Sequence, residues 1–170
     1  MREYKEYLKY AGLMIALIIV QKTMIWLIAV TSFDVTPDLV LIGIVYIGIR
    51  VGKIAGSVGG FFAGLILDFL SFSFLGLMAL SKSSAGFVAG FFSNDESKID
   101  KYTNSYIFVI IVFVCSLVNN MIYFTFYFQG TSLRLTDILL RYIIPTAVYT
   151  AVFAVIPIIF EKRKRVRYGS

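Results

Sequence analysis

Apolar stretches follow one another along almost the whole of this chain of 170 residues. Five of them approach or exceed the roughly 20 residues that a helix needs to cross a bilayer. Charged residues make up only 15% of the chain, whereas a soluble domain usually carries about 25%. We therefore predict an all-α integral membrane protein, with helices over residues 10–30, 38–50, 54–70, 74–92, 105–128 and 138–160.

The second apolar run is the shortest, because it covers only the 11 residues 39–49. A helix of that length measures about 17 Å, which is less than the ~30 Å hydrocarbon core of a bilayer. The run is therefore either a short span that recruits flanking residues or a re-entrant segment.

The distribution of lysine and arginine predicts the topology. Under a six-span arrangement, twelve of the 16 basic residues lie in the cytoplasmic segments, and the outer segments hold only Arg134 and Arg141. Cytoplasmic loops of membrane proteins carry such an excess. We expect residues 1–168 to form a compact six-transmembrane-helix bundle with both termini cytoplasmic, ending in a basic cytoplasmic tail over residues 161–168.

Glycines recur at every fourth position where the third helix is predicted. The series comprises Gly52, Gly56, Gly60 and Gly64, and Asp68 takes the next place in it. A step of four residues keeps such positions on roughly one face of a helix, and small residues let helices approach closely in lipid. This face either packs inside the bundle or docks a partner helix, and the fourth helix repeats it in shorter form with Gly86 and Gly90.

Five polar side chains fall inside predicted spans, namely Lys22, Asp68, Lys82, Asn119 and Asn120. Ionisable groups at membrane depth are costly, so they pair with one another or line a functional site. The rise of a helix places all five in the outer half of the bilayer. We predict an interior polar network in which Asp68 pairs with Lys82 or Lys22. This network either fixes the helix register or forms a pocket for a small polar ligand.

Several classes of function find no support in the sequence. The chain has no histidine and a single cysteine, Cys115, so it lacks the usual general base and any Cys/His metal cluster. We expect no catalytic residues, no metal and no cofactor. The run of basic residues from Lys162 to Arg167 sits next to a predicted span, which favours contact with anionic lipid over nucleic acid.

Three features stand out within residues 37–90. Pro37-Asp38 opens the short second apolar run, and Asp68 closes the glycine-rich third helix. The corner DFLSFSFLGLMAL follows at residues 68–80, with Gly76 in it. In these features the chain resembles the bacterial rod shape-determining protein family MreD, which often has glycine where this chain has Phe72.

The resemblance implies a function that composition alone does not. It implies a non-enzymatic scaffold of the bacterial inner membrane that binds MreC, acts with other proteins of the elongation machinery, and takes part in the regulation of cell shape and peptidoglycan synthesis. The family's fold is similar to the S components of energy-coupling-factor transporters. The alternative function is therefore a small-molecule-binding subunit of a vitamin-type transporter.

Overall fold

The computed structural model of the chain is helical in every regular element that it describes. Neither a strand nor a β-bridge occurs among the described residues, which are 2–28, 36–72, 74–94, 99, 102–103, 105–130 and 134–159. The prediction of an all-α chain with six helices is confirmed. Their bounds are α1 Arg2–Ile28, α2 Leu39–Val51, α3 Lys53–Ser71, α4 Leu77–Ala89, α5 Tyr106–Tyr127 and α6 Leu135–Ile159.

Three of these helices, α3, α5 and α6, are long and apolar enough to cross a membrane by length and composition. They have 19, 22 and 25 residues, and a span needs about 20. The protein is accordingly a membrane protein. That all six helices cross the bilayer, and that both termini are cytoplasmic, stay predictions.

Both irregularities of α6 precede a proline. A π-helical turn covers Leu139–Ile143 just before Pro145, and the helix is interrupted at Ala154, three residues before Pro157. Proline removes a backbone donor and crowds the preceding turn, and membrane helices absorb this by local changes of helix type.

The short helix α2 is the central element of the bundle. Nine of its 13 residues are buried. One side packs with α1 and α3 around Ile44 and Leu67, and the other packs with α4, α5 and α6 around Val45 and Phe108. Since other helices surround α2, its side chains do not have to contact lipid along the whole helix.

Helices α3 and α4 pack backbone against backbone through their glycines. A Cβ atom built on Gly60 would lie 2.7 Å from the carbonyl carbon of Lys82, and one on Gly64 would lie 2.5 Å from Cα of Ala79. Gly56 faces Gly86 in the same way, with 2.5 Å between a built Cβ and the Gly86 oxygen. The structure therefore places these glycines in an internal seam, which we call the α3–α4 seam.

The two ends of the glycine series behave differently. Gly90 continues the seam, because a Cβ there would meet the backbone of Lys53 at 2.5 Å. Gly52 lies outside α3: it joins α2 to α3 with φ +115°, and a Cβ on it would meet only Ser93 Oγ, at 3.6 Å. The expectation that Gly52 shares the helical face is wrong, because the chain breaks its helix at that residue.

Candidate functional site

Polar side chains from all six helices or their flanking residues converge at one end of the bundle, where α1, α3 and α5 end and α2, α4 and α6 begin. They enclose a cavity of about 470 Å³, which we call the polar cavity. Four of the five polar residues that the sequence singles out line this cavity, namely Lys22, Lys82, Asn119 and Asn120. The fifth, Asp68, does not line it.

Lys82 forms an ion pair with Asp38 at the wall of the cavity. Lys82 is 3% exposed, and Asp38 also caps α2, because its Oδ1 accepts a hydrogen bond from the amide of Leu41 at 3.0 Å. The prediction that Asp68 pairs with Lys82 is therefore wrong, because the partner of Lys82 is Asp38. The sequence separates Asp38 from Lys82 by 44 residues, and only the packing of α2 against α4 brings them together.

Asp68 instead fixes the corner between α3 and α4. Its side chain is fully buried, and its two carboxylate oxygens accept hydrogen bonds from the amides of Gly76, Met78 and Ala79 at 2.9, 3.1 and 3.3 Å. These amides begin α4, where unpaired N–H groups and the helix dipole favour a negative charge.

The backbone of this corner turns sharply at Phe72. Phe72 ends α3 in the left-handed conformation, with φ 49° and ψ 31°, and its side chain is 97% exposed. Glycine adopts that conformation without steric cost, so this position of the corner is one that glycine would suit.

Replacing Asp68 by alanine is expected to lower the free energy of unfolding by about 2 kcal/mol or more, since three amides at the start of α4, of which that of Ala79 is buried, would lose their acceptor. Asp68→Asn keeps one acceptor oxygen and should cost less. Thermal unfolding of the purified protein in detergent measures both changes. Equal stability of Asp68→Ala and the unsubstituted protein would contradict this role.

Lys22 and Gln21 bring α1 to the cavity. The ammonium group of Lys22 donates to Ser71 Oγ at 2.7 Å, so its pairing with Asp68 is also wrong. Gln21 Oε1 accepts from the amide of Val40 at 2.8 Å, which ties α1 to the start of α2. Gln21 is not among the polar residues singled out from the sequence, although its polarity inside an apolar run is a signal of this role.

Asn119 and Asn120 form the part of the cavity wall that α5 contributes. Asn119 Nδ2 donates to Asn120 Oδ1 at 3.1 Å, and Asn120 Nδ2 donates to the carbonyl oxygen of Ile143 at 3.3 Å. Both residues are buried. Oδ1 of Asn119 has no hydrogen-bond partner within the part of the chain that the structure describes.

The second concave surface is an apolar groove of about 390 Å³ between α1 and α3, which we call the α1–α3 groove. The α3 residues that line it include the small residues Ala55, Gly59 and Ala63, which we call the groove floor, and Phe62 and Ile15 line it as well. A Cβ atom built on Gly59 would meet no other atom within 4 Å. The groove is therefore open at Gly59, whereas the α3–α4 seam is tightly packed at the next residue, Gly60.

Comparison with known proteins identifies the family. A family model described as the rod shape-determining protein MreD matches residues 7–161, which is nearly the whole chain. The chain belongs to the MreD family. Searches of curated proteins and of solved structures found no match. Membership of the MreD family implies a role in determining rod shape.

Two of the residues that carry the resemblance to MreD are carboxylates with partners at the cavity end of the bundle. Pro37 is buried and directly precedes Asp38, which pairs with Lys82. Asp68 accepts a hydrogen bond from Gly76. The MreD pattern in this chain therefore marks the two carboxylates that position α2 and α4 at the cavity end of the bundle.

The basic tail over residues 161–168 lies outside the described residues.

No group of three or more Cys, Asp or Glu side chains that could hold a metal ion occurs within the described part of this MreD-family protein. Of the aromatic residues near the end of α5, Tyr123, Phe124, Tyr127 and Phe128 line the polar cavity.

Proposed function

We propose that this MreD-family protein is a non-enzymatic scaffold of the cell-elongation machinery in the bacterial inner membrane. In this proposal it holds the membrane helix of MreC and so takes part in regulating peptidoglycan synthesis and cell shape. The observation that carries the proposal is the α1–α3 groove, which is apolar, open and floored by small residues.

Small residues on the groove floor suit a helix as the occupant. Ala55, Gly59 and Ala63 recur at four-residue spacing and therefore lie along one stripe of α3. Association of helices in lipid depends on close packing, and small residues permit it because the two backbones can approach. The groove extends from Ala55 to Ile66, which is about 17 Å of helix.

The α3–α4 seam is a weaker candidate for binding MreC. A Cβ atom built on Gly56, Gly60 or Gly64 would already clash with the backbone of α4. A partner helix could reach them only if α3 and α4 separated, which would expose the polar cavity wall. In this proposal the two stripes of small residues on α3 have different roles. The stripe of the α3–α4 seam packs inside the bundle, and the stripe on the groove floor binds the partner helix.

The proposal predicts the effect of filling the groove. Gly59→Leu places a side chain on the groove floor and keeps the two helices apart, so that it should reduce copurification of MreC by about 10-fold or more, which corresponds to ~1.4 kcal/mol. The thermal stability of the variant should stay close to that of the unsubstituted protein, because its side chain enters open space.

Gly12→Leu is the matched control for this experiment. Gly12 lies on α1, is exposed, does not line the groove, and has open space around a built Cβ. It should copurify MreC normally. Loss of MreC from Gly12→Leu, with full retention by Gly59→Leu, would place the partner on the outer face of α1 and contradict the proposed groove.

A further inference from the structure

We infer that the polar cavity is a binding site for an anionic amphiphile, a molecule with a phosphate group, a nearby hydroxyl or amine donor, and an apolar part. This inference is independent of the scaffold function, because the cavity and the α1–α3 groove share no lining residue. It rests on the charge, the unsatisfied hydrogen bonding and the aromatic wall of the cavity.

Among the charged side chains that line the cavity, one positive charge is left over. The Asp68 carboxylate lies behind the wall, where it already accepts three hydrogen bonds from amides at the start of α4. Lys82 and Asp38 neutralise one another as an ion pair. Lys22 forms no ion pair with any residue that the structure describes, and its only described hydrogen bond is to the neutral hydroxyl of Ser71. An ammonium group carries three donors, and an unneutralised charge at membrane depth is costly. An anion in the cavity would remove that cost.

Asn119 adds an unsatisfied acceptor to the same cavity. The residue is 4% exposed, and its Oδ1 has no hydrogen-bond partner among the described residues. A buried polar atom without a partner is destabilising, because it has lost its hydrogen bond to water and gained none. Oδ1 has almost no accessible surface, so a small rotation of the amide is needed for it to meet a donor on a ligand.

Aromatic rings form the apolar side of the cavity. Phe124 and Phe128 pack against Tyr142 with ring centroids 5.6 and 5.0 Å apart, and Tyr123 stacks on Tyr127 at 5.5 Å. Rings of this kind suit the apolar part of a ligand whose polar end meets Lys22. A volume of about 470 Å³ lies within the 300–1,000 Å³ range of small-molecule sites.

Two sources could supply this chemistry, a membrane lipid headgroup and a water-soluble phosphate ester. Both are tested on the full-length protein in phosphatidylcholine nanodiscs, whose headgroup offers no hydroxyl or amine donor. One titration adds phosphatidylglycerol to the nanodisc lipid, and the other adds hexanoyl lysophosphatidic acid to the buffer, a water-soluble phosphate ester with a hydroxyl group and a short apolar chain. We expect one of the two to raise the unfolding temperature in a saturable manner, and the titration that saturates identifies the source.

Lys22→Met tests whether the response comes from the cavity. It removes the ammonium group and should weaken the apparent affinity for the saturating probe by about 10-fold, as expected for a charge-assisted hydrogen bond. Lys9→Met, on an exposed position of the same helix outside the cavity, is the matched control and should bind as the unsubstituted protein does.

The inference is overturned without any variant if neither probe gives a saturable shift with the unsubstituted protein. It is overturned as well if Lys22→Met and Lys9→Met bind the saturating probe equally. If Lys22→Met does not fold, Lys22→Gln replaces it, since glutamine keeps a polar group that can contact Ser71.

Discussion

Gly60→Ala is expected to lower the free energy of unfolding by about 3 kcal/mol, the upper part of the range for overpacked cores. The added methyl group would lie 2.7 Å from the carbonyl carbon of Lys82 and 3.0 Å from the amide nitrogen of Ser83. Both atoms belong to the backbone of α4, so neither can move without shifting the helix. Denaturant or thermal unfolding in detergent measures the loss.

Gly59→Ala provides the matched control on the neighbouring residue. The same methyl group would meet no atom within 4 Å there, and alanine is a better helix former than glycine by about 1 kcal/mol. This variant should be as stable as the unsubstituted protein or slightly more so. Equal losses of stability at both positions would show that the α3–α4 seam is not the tightly packed interface described here.

Lys82→Met is expected to destabilise the protein by about 3–5 kcal/mol, because it removes one partner of a buried ion pair and leaves Asp38 without its counter-charge. The side chain of Asp38 is only 13% exposed, so water can do little to replace the ammonium group. The midpoint of thermal unfolding, measured in the same detergent, is expected to fall clearly below that of the unsubstituted protein.

The double variant Lys82→Met with Asp38→Asn separates the ion pair from other effects. Asparagine is a good helix N-cap, so it can still accept from the amide of Leu41 while carrying no charge. Much of the stability lost in Lys82→Met should therefore return. Independent, additive losses at the two positions would mean that the pair is not coupled.

The helices could be predicted from the sequence because each contains an apolar run, although not every end was correct. The predicted first helix begins at residue 10, whereas α1 begins at Arg2, since charged residues such as Arg, Glu and Lys are good helix formers. The predicted third segment, 54–70, and the observed α3, Lys53–Ser71, differ by one residue at each end. The central place of α2 could not be predicted in this way. Its shortness is visible in the sequence, but its burial depends on the helices that surround it.

The contacts of the polar residues were harder to predict, for a physical reason. Depth along a helix follows from counting residues, and this placed Lys22, Lys82, Asn119 and Asn120 at one end of the bundle, where the cavity lies. The identity of each partner depends on rotation about the helix axis and on which helices are neighbours. Asp38 was therefore missed as the partner of Lys82.

The two small-residue stripes of α3 illustrate the same limit. Gly56, Gly60 and Gly64 differ by one position from Ala55, Gly59 and Ala63, which is about 100° around the helix. The sequence shows small residues at both sets of positions, but only the packing of α4 distinguishes the occupied stripe from the open one.

Disulfide crosslinking to the membrane helix of MreC tests the central claim most directly. The buried Cys115 is first replaced by serine, and single cysteines are then placed at Gly59 in the α1–α3 groove and at Ile110, which is 61% exposed on α5. With a cysteine scan along the MreC helix, the protein is expected to crosslink from position 59 at a helical repeat and not from position 110. Crosslinks from position 110 alone would contradict the proposed scaffold surface.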